Sequence, residues 1–125
     1  MINVHNVRLR NYIGFNSDEK VKQQDVIINI EIEYALNPGI LDDIVEDAPD
    51  YKLITKRVIR DVENGQFLLL EKLIADVLAI CSDDADTKRA RVRIDKPHAR
   101  RFADSVSLTL EYRADDPDSH LEKRQ

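Results

Sequence analysis

Between residues 26 and 34 the chain reads VIINIEIEY, and that alternation is the tightest constraint in the sequence. Ile28, Ile30, Ile32 and Tyr34 fall on one side of an extended chain, and Asn29, Glu31 and Glu33 fall on the other. Successive side chains of a strand point to opposite faces, so the segment demands a sheet with one apolar and one wet face. A helix would scatter the same residues around its circumference.

The same signature recurs three times. Residues 2–12 alternate through Ile2, Val4, Val7 and Leu9, with a break of phase at His5-Asn6 that predicts a β-bulge. Residues 89–96 alternate up to Pro97, where the strand is expected to stop, and residues 105–112 carry Val106, Leu108 and Leu110 on one face. Between the two pairs of strands the period changes. Asp50 follows Pro49 as a candidate N-cap, and Leu53, Ile54, Val58 and Val62 recur at helical spacing until Gly65. A second, wider stripe joins Leu69, Leu70, Leu73, Ile74, Val77, Leu78 and Cys81, which makes Cys81 a core residue. The order ββααββ predicts an α+β domain: an antiparallel four-stranded sheet with two helices on one face. Such a sheet has two open edges and one uncovered face. Natural proteins seldom leave long edges unpaired, so the expectation is an oligomer whose sheets join edge to edge and can close into a barrel.

With 125 residues there is room for one core, placed at residues 1–113, and for a polar, frayed tail at 114–125. No stretch approaches the ~20 apolar residues of a membrane span. The first residues, MINVHNVRLR, lack the layout of a signal peptide, and a lone cysteine suits a reducing cytoplasm.

Several chemistries are excluded at once. His5, His98 and His120 are far apart in sequence and no cysteine pair exists, so no metal site is expected. Three glycines cannot make a phosphate-cradling or dinucleotide loop, and there is no serine elbow. Charge is unevenly spread in this acidic chain of net charge −5: residues 41–50 hold five acids and no base, while residues 88–101 hold seven Lys or Arg against one Asp. That basic stretch is too short and too poor in aromatics for a nucleic-acid surface. It fits a small anion such as a phosphorylated metabolite, or simply a strand with an arginine-rich exposed face.

What remains is a set of acid/base side chains at element boundaries. Lys96 stands at a strand end beside Pro97. Glu71 follows three leucines at the start of the second helix. There it complements the helix dipole, or else offers two oxygens from a partly buried site to paired N–H donors of a heterocycle. Tyr51 opens the first helix, and Glu19 lies in the polar link SDEKVKQQD, where a solvated charge is the default.

Five segments follow one another in order, the last three holding Tyr51, Glu71 and Lys96: LRNYIG (9–14), DVIINIEIEY (25–34), DYKLITK (50–56), VENGQFLLLEKL (62–73) and IDKPHARRFADSVSLTL (94–110). On them, over residues 2–112, the chain resembles the dihydroneopterin aldolase family, and the HARRFADSVS element is similar to the family's epimerase branch. The resemblance implies the tunnelling fold, in which four subunits close their sheets into a barrel and two rings stack into an octamer. It implies sites between subunits that need no metal or cofactor. By position, Glu71, with Leu70 beside it, would anchor the pterin's amino and ring N–H groups, and Lys96 would be the catalytic lysine. Tyr51 would reach in from the neighbouring subunit, and Glu19 would lie near the side-chain hydroxyls.

The implied reaction begins with removal of the substrate's 2′-hydroxyl proton, work suited to an amine in a partly desolvated, cation-rich site. The C1′–C2′ bond then breaks into the conjugated ring. Release of the aldehyde gives the aldolase outcome, whereas recapture after it turns over inverts the 2′ carbon. The epimerase branch implies a phosphorylated substrate, 7,8-dihydroneopterin triphosphate. Arg100 and Arg101 would clamp its tail, with His98 or Arg93 as alternatives. Cleavage of unphosphorylated dihydroneopterin is the second expectation. A pterin-binding oligomer without turnover is the third, and it has no need of Lys96.

Overall fold

A computed structural model describes residues 1–11, 24–36, 38–44, 50–65, 67, 69–100 and 103–116. Its elements are β1 (Ile2–Asn11), β2 (Gln24–Tyr34), α1 (Pro38–Leu41), α2 (Tyr51–Asn64), α3 (Leu70–Cys81), β3 (Thr87–Arg100) and β4 (Ala103–Arg113). The strands form one antiparallel sheet in the order β1-β2-β3-β4. Against expectation there is a one-turn helix, α1, opened by Pro38, whose fixed φ suits a first helical position.

The register aligns every apolar row. Ile2, Val4, Val7 and Leu9 of β1 pair with Ile32, Ile30, Ile28 and Val26 of β2. Ile28, Ile30 and Ile32 pair in turn with Ile94, Val92 and Ala90 of β3, which pair with Leu108, Leu110 and Tyr112 of β4. Onto this face fold α2, through buried Val58 and Val62, and α3, through buried Leu73, Ile74, Val77, Leu78 and Cys81. Each fully buried Leu or Ile contributes roughly 1.5–3 kcal/mol relative to exposure. Burial also pushes the Cys81 thiol up to about 12, more than nearby Arg57 pulls it down, as befits a packing residue.

Local details follow from side-chain chemistry. The β1 bulge falls between Val4 and Val7, with Asn6 at φ 54, a left-handed conformation that asparagine tolerates. The Asn6 N–H donates to Asn29 Oδ1 at 2.9 Å, tying the bulge to β2. Asp50 caps α2 by accepting from the Leu53 N–H at 2.9 Å. Gly65 does end α2, but in an extended conformation, φ −90 and ψ 159. What demands glycine there is space, because a Cβ would meet the Phe67 ring at 2.6 Å and the Asp61 carbonyl at 2.9 Å.

The largest departure from the sequence reading is β3. It does not stop at Pro97 but runs on to Arg100, with Pro97 opposite Ser105 and Arg100 opposite Ala103. Pairing with β2 ends at Asp95, so Pro97 lies where the strand has one neighbour and a missing N–H is tolerated. Beyond β4, the Ala114 N–H donates to the Lys88 carbonyl at 2.9 Å and the Asp116 N–H to the Arg113 carbonyl at 3.1 Å. The rest of the expected tail lies outside the described residues.

Where α2 meets α3, Asp61 is half-buried. Its Oδ2 is enclosed without a hydrogen-bond partner among the described residues. Burial raises its pKa, Asp76 raises it further, and Lys72, which holds Asp76 at 2.8 Å, works against both. For an acid whose native pKa is raised, the fold disfavours the charged form. That penalty is absent below the unfolded-state pKa and complete above the native one. Asp61→Asn is therefore expected to stabilise the fold at pH 7 by up to about 1 kcal/mol after solvent screening. The gain should shrink as pH falls toward about 4. Denaturant midpoints at the two pH values are the measurement, and a gain that does not depend on pH would refute the assignment.

Candidate active site

Lys96 is the anomaly on the apolar face of the sheet. It continues the row Ala90, Val92, Ile94 on β3, pairs with Val106 of β4, and is only 8% exposed. Among the described residues it and Thr87 are the buried polar or charged ones. Burying an ammonium is costly, so an amine in such a row calls for a reason other than packing. The sequence placed Lys96 at a strand end. The structure places it within a strand, just past Asp95, the last residue of β3 that pairs with β2.

Helix α3 reaches the same region. It packs on β3 and β4, and the short link from Cys81 to Thr87 makes it run back along β3. Its N-terminus, with Leu70 and Glu71, thus lies toward the Lys96 half of the strand. Leu70 packs against the core. Of the two settings the sequence allowed, Glu71 takes the exposed one in the first helical turn, because the inward stripe runs through Leu73 and Ile74.

Tyr51 is elsewhere. It opens α2, about half exposed, and its carbonyl accepts the Thr55 hydroxyl at 2.8 Å. With Ile2, Val4, His5 and Tyr34 it lines a cleft of ≈ 780 Å³ beside the outer edge of β1. Val4 is level with Ile30 and Val92. Lys96 is four residues further along β3 and two strands across. At ~3.3 Å per residue and ~4.8 Å per strand, that is ~13 Å along the sheet and ~10 Å across it. One chain therefore cannot bring Tyr51 and Lys96 to the same reacting carbon.

Arg93 leaves the site altogether. Between Arg89 and Asp95 the odd-numbered residues of β3 alternate against the buried row Ala90, Val92 and Ile94 and face away from the helices, and Arg93 binds Asp95 there at 3.0 Å. On that face Arg89 sits among Glu111 at 2.7 Å, Glu33 at 3.5 Å and Glu31 at 3.6 Å. The Arg89 hydrogen bond is the main cause holding the Glu111 carboxyl below its usual range. Two of the seven cations read from the sequence, Arg89 and Arg93, thus belong to ion pairs on the outer face of the sheet. His98 and Arg100 belong to β3 by backbone, their side chains lying outside the description, and Arg101 and Glu19 are outside the described residues. Missed by the sequence reading were Lys52, Lys56 and His5, which line the Tyr51 cleft. The four-residue spacing of the two lysines after Tyr51 was the available signal. Among the described residues no cluster of His, Cys, Asp or Glu could hold a metal, and no helix is long and apolar enough to cross a membrane.

A four-stranded antiparallel sheet with its helices on one face, and with a lysine buried in its apolar row, defines an α+β domain of the tunnelling-fold class. The chain belongs to the dihydroneopterin aldolase family: the family described as FolB, Dihydroneopterin aldolase, matches residues 2–111. Among its relatives, dihydroneopterin triphosphate 2′-epimerase of Escherichia coli (strain K12) is 43% identical over 90% of this chain and 93% of its own. The enzyme of the same name from Pseudomonas aeruginosa is 41% identical over 87% and 89%. Dihydroneopterin aldolase of Escherichia coli (strain K12) is 25% identical over 79% and 81%. The crystal structure of E. coli dihydroneopterin aldolase in complex with neopterin superposes with a TM-score of 0.80, covering 89% of this chain and 96% of that one. Its identity is 22%, so that likeness speaks for the fold alone.

Proposed function

We propose that the chain is an epimerase that converts 7,8-dihydroneopterin triphosphate into 7,8-dihydromonapterin triphosphate by a retro-aldol and aldol sequence. The observation that carries this reading is the gap between 43% identity to an epimerase and 25% to an aldolase across the same fold. Lys96, buried in an apolar row, supports it as the base. It takes the 2′-hydroxyl proton, the C1′–C2′ bond breaks, and its electron pair enters the conjugated ring to leave an enol. The C2′ carbon departs as an aldehyde that carries the phosphates. The aldehyde turns its other face, C1′ attacks it, and the proton returns to the new 2′ oxygen with inverted configuration. No atoms are gained or lost.

Glu71 and Leu70 hold the ring in this scheme, Glu19 attends the side-chain hydroxyls, and no metal or cofactor takes part. Tyr51 assists protonation from another copy, since it is beyond reach of Lys96 in its own chain. The open edges of β1 and β4 support assembly into a ring of four, or two stacked rings, with sites between subunits. The single, buried Cys81 suits a cytoplasmic setting. Aldolase cleavage to 6-hydroxymethyl-7,8-dihydropterin and glycolaldehyde is the second reading, favoured by the family match itself. Incubating the protein with each substrate and separating the products by chromatography decides between them. Monapterin triphosphate supports the first reading, whereas hydroxymethylpterin alone replaces it with the second.

Arg100 and Arg101 serve here as a clamp on the triphosphate. Replacing both with alanine is expected to raise KM for the triphosphate at least about tenfold, since a charge-assisted contact is worth roughly 1.5–3 kcal/mol. Inhibition by unphosphorylated dihydroneopterin is the control, and equal loss for both ligands would assign the arginines to the hairpin's structure.

A further inference from the structure

The cleft beside β1 is cationic in an acidic chain. Lys52 and Lys56 stand one turn apart on α2 and both line it, together with Tyr51, His5 and Asn3. Among the described residues, no carboxylate lines it. Neither ammonium has an ion-pair partner among the described residues. The acid nearest to Lys52 in sequence, Asp50, accepts the Leu53 N–H as the cap of α2. The inward stripe of α2 runs through Val58 and Val62, so the two lysines are not held in place by the core.

We infer that Lys52 and Lys56 bind the polyphosphate tail of the substrate, in the site of the neighbouring copy to which their own chain delivers Tyr51. The inference rests on the epimerase reading and adds to it the residues that set the preference for a phosphorylated substrate. Tyr51 acts at the carbons where the C1′–C2′ bond opens, and the tail starts one carbon beyond. Whatever brings Tyr51 there brings the next residue of α2, and the residue one turn further on, alongside the tail. Cβ atoms at i and i+4 are ~6 Å apart on a helix, close enough for two ammonium groups to contact successive phosphoryl groups of one chain. Lysine is a compact, flexible charge well suited to that contact. A triphosphate tail carries several negative charges, so it can engage two ammonium groups at once. The uncharged pterin ring gains nothing from them.

The test compares the wild type with Lys52→Ala/Lys56→Ala and with the charge-retaining Lys52→Arg/Lys56→Arg. KM is measured for 7,8-dihydroneopterin triphosphate and Ki for unphosphorylated 7,8-dihydroneopterin as competitor, with assembly followed by size-exclusion chromatography. The alanine pair is expected to raise the ratio of KM to Ki at least about tenfold, as loss of charge-assisted contacts predicts. The arginine pair should bring it back to within about threefold, and salt should weaken triphosphate binding less in the alanine pair than in the wild type. A ratio that stays at the wild-type value overturns the inference. Equal loss for both ligands, with or without disassembly, overturns it too, because the lysines then serve the subunit contact. If the wild type does not turn over the triphosphate at all, the epimerase reading fails and takes the inference with it. Wild-type turnover thus tells the two failures apart.

Discussion

Replacing Lys96 by alanine is expected to lower kcat by ~10²–10⁴-fold, the usual contribution of a general acid/base group. Affinity for the pterin ring should change by no more than a few-fold, because the lysine acts on the side chain. Lys96→Met keeps the bulk of the buried row and should lose as much, which separates lost chemistry from a cavity. Steady-state kinetics and a pterin titration on both variants are the measurements, and a variant that keeps most of the wild-type rate removes Lys96 from the mechanism. Co-assembly extends the test. Lys96→Met chains and Tyr51→Phe chains, each slow alone, should regain activity when mixed, since some sites then combine a native lysine from one copy with a native tyrosine from another. Absence of recovery would contradict a site shared between subunits.

The second large effect is expected at Glu71. Glu71→Gln replaces one of two acceptors facing ring N–H donors with another donor. Leaving a buried donor unpaired costs roughly 1–3 kcal/mol, an affinity loss on the order of 10- to 100-fold. The assembly should stay intact, because Glu71 is exposed in the first turn of α3 and forms no ion pair among the described residues. A calorimetric titration with a pterin checks the first expectation and size-exclusion chromatography the second. Unchanged affinity would leave Glu71 as a carboxylate that favours its helix dipole and nothing more.

The rows of the sheet were legible because their periods are strong. Ile28, Ile30 and Ile32 on β2, and Leu73, Ile74, Val77 and Leu78 on α3, each leave one arrangement that hides them all. The β1 bulge was legible for a similar reason, since the phase slip at His5-Asn6 has no other cheap explanation. The end of β3 was not. Pro97 reads as a stop only where a strand has two neighbours, and that pairing with β2 ends at Asp95 is a fact of register, invisible in composition. The same blindness misplaced Arg93. Sequence proximity to Lys96 suggested a shared site, but odd and even positions of a strand lie on opposite faces. Lys52 and Lys56 escaped notice because exposed lysines on a helix are common. Only the cleft beside β1, formed by residues some fifty positions earlier, gives them a setting.

In the assembly proposed above, the two faces of the sheet would govern how one copy meets the next. One face is closed off by α2 and α3. The other carries Arg89 among three carboxylates and Arg93 on Asp95, a mosaic that is already neutralised and well hydrated. Stacking face to face would strip water from paired charges and return little attraction. Among the described strands, the outer ones, β1 and β4, still offer unmatched backbone donors and acceptors to a neighbour. Growth is therefore confined to one dimension, copy beside copy. The right-handed twist and coil of each sheet can bend such a row back on itself. In the proposed ring a closed row has no growing end left, so the charge mosaic on an otherwise idle surface would turn an aggregation hazard into a process that stops at a fixed number of chains.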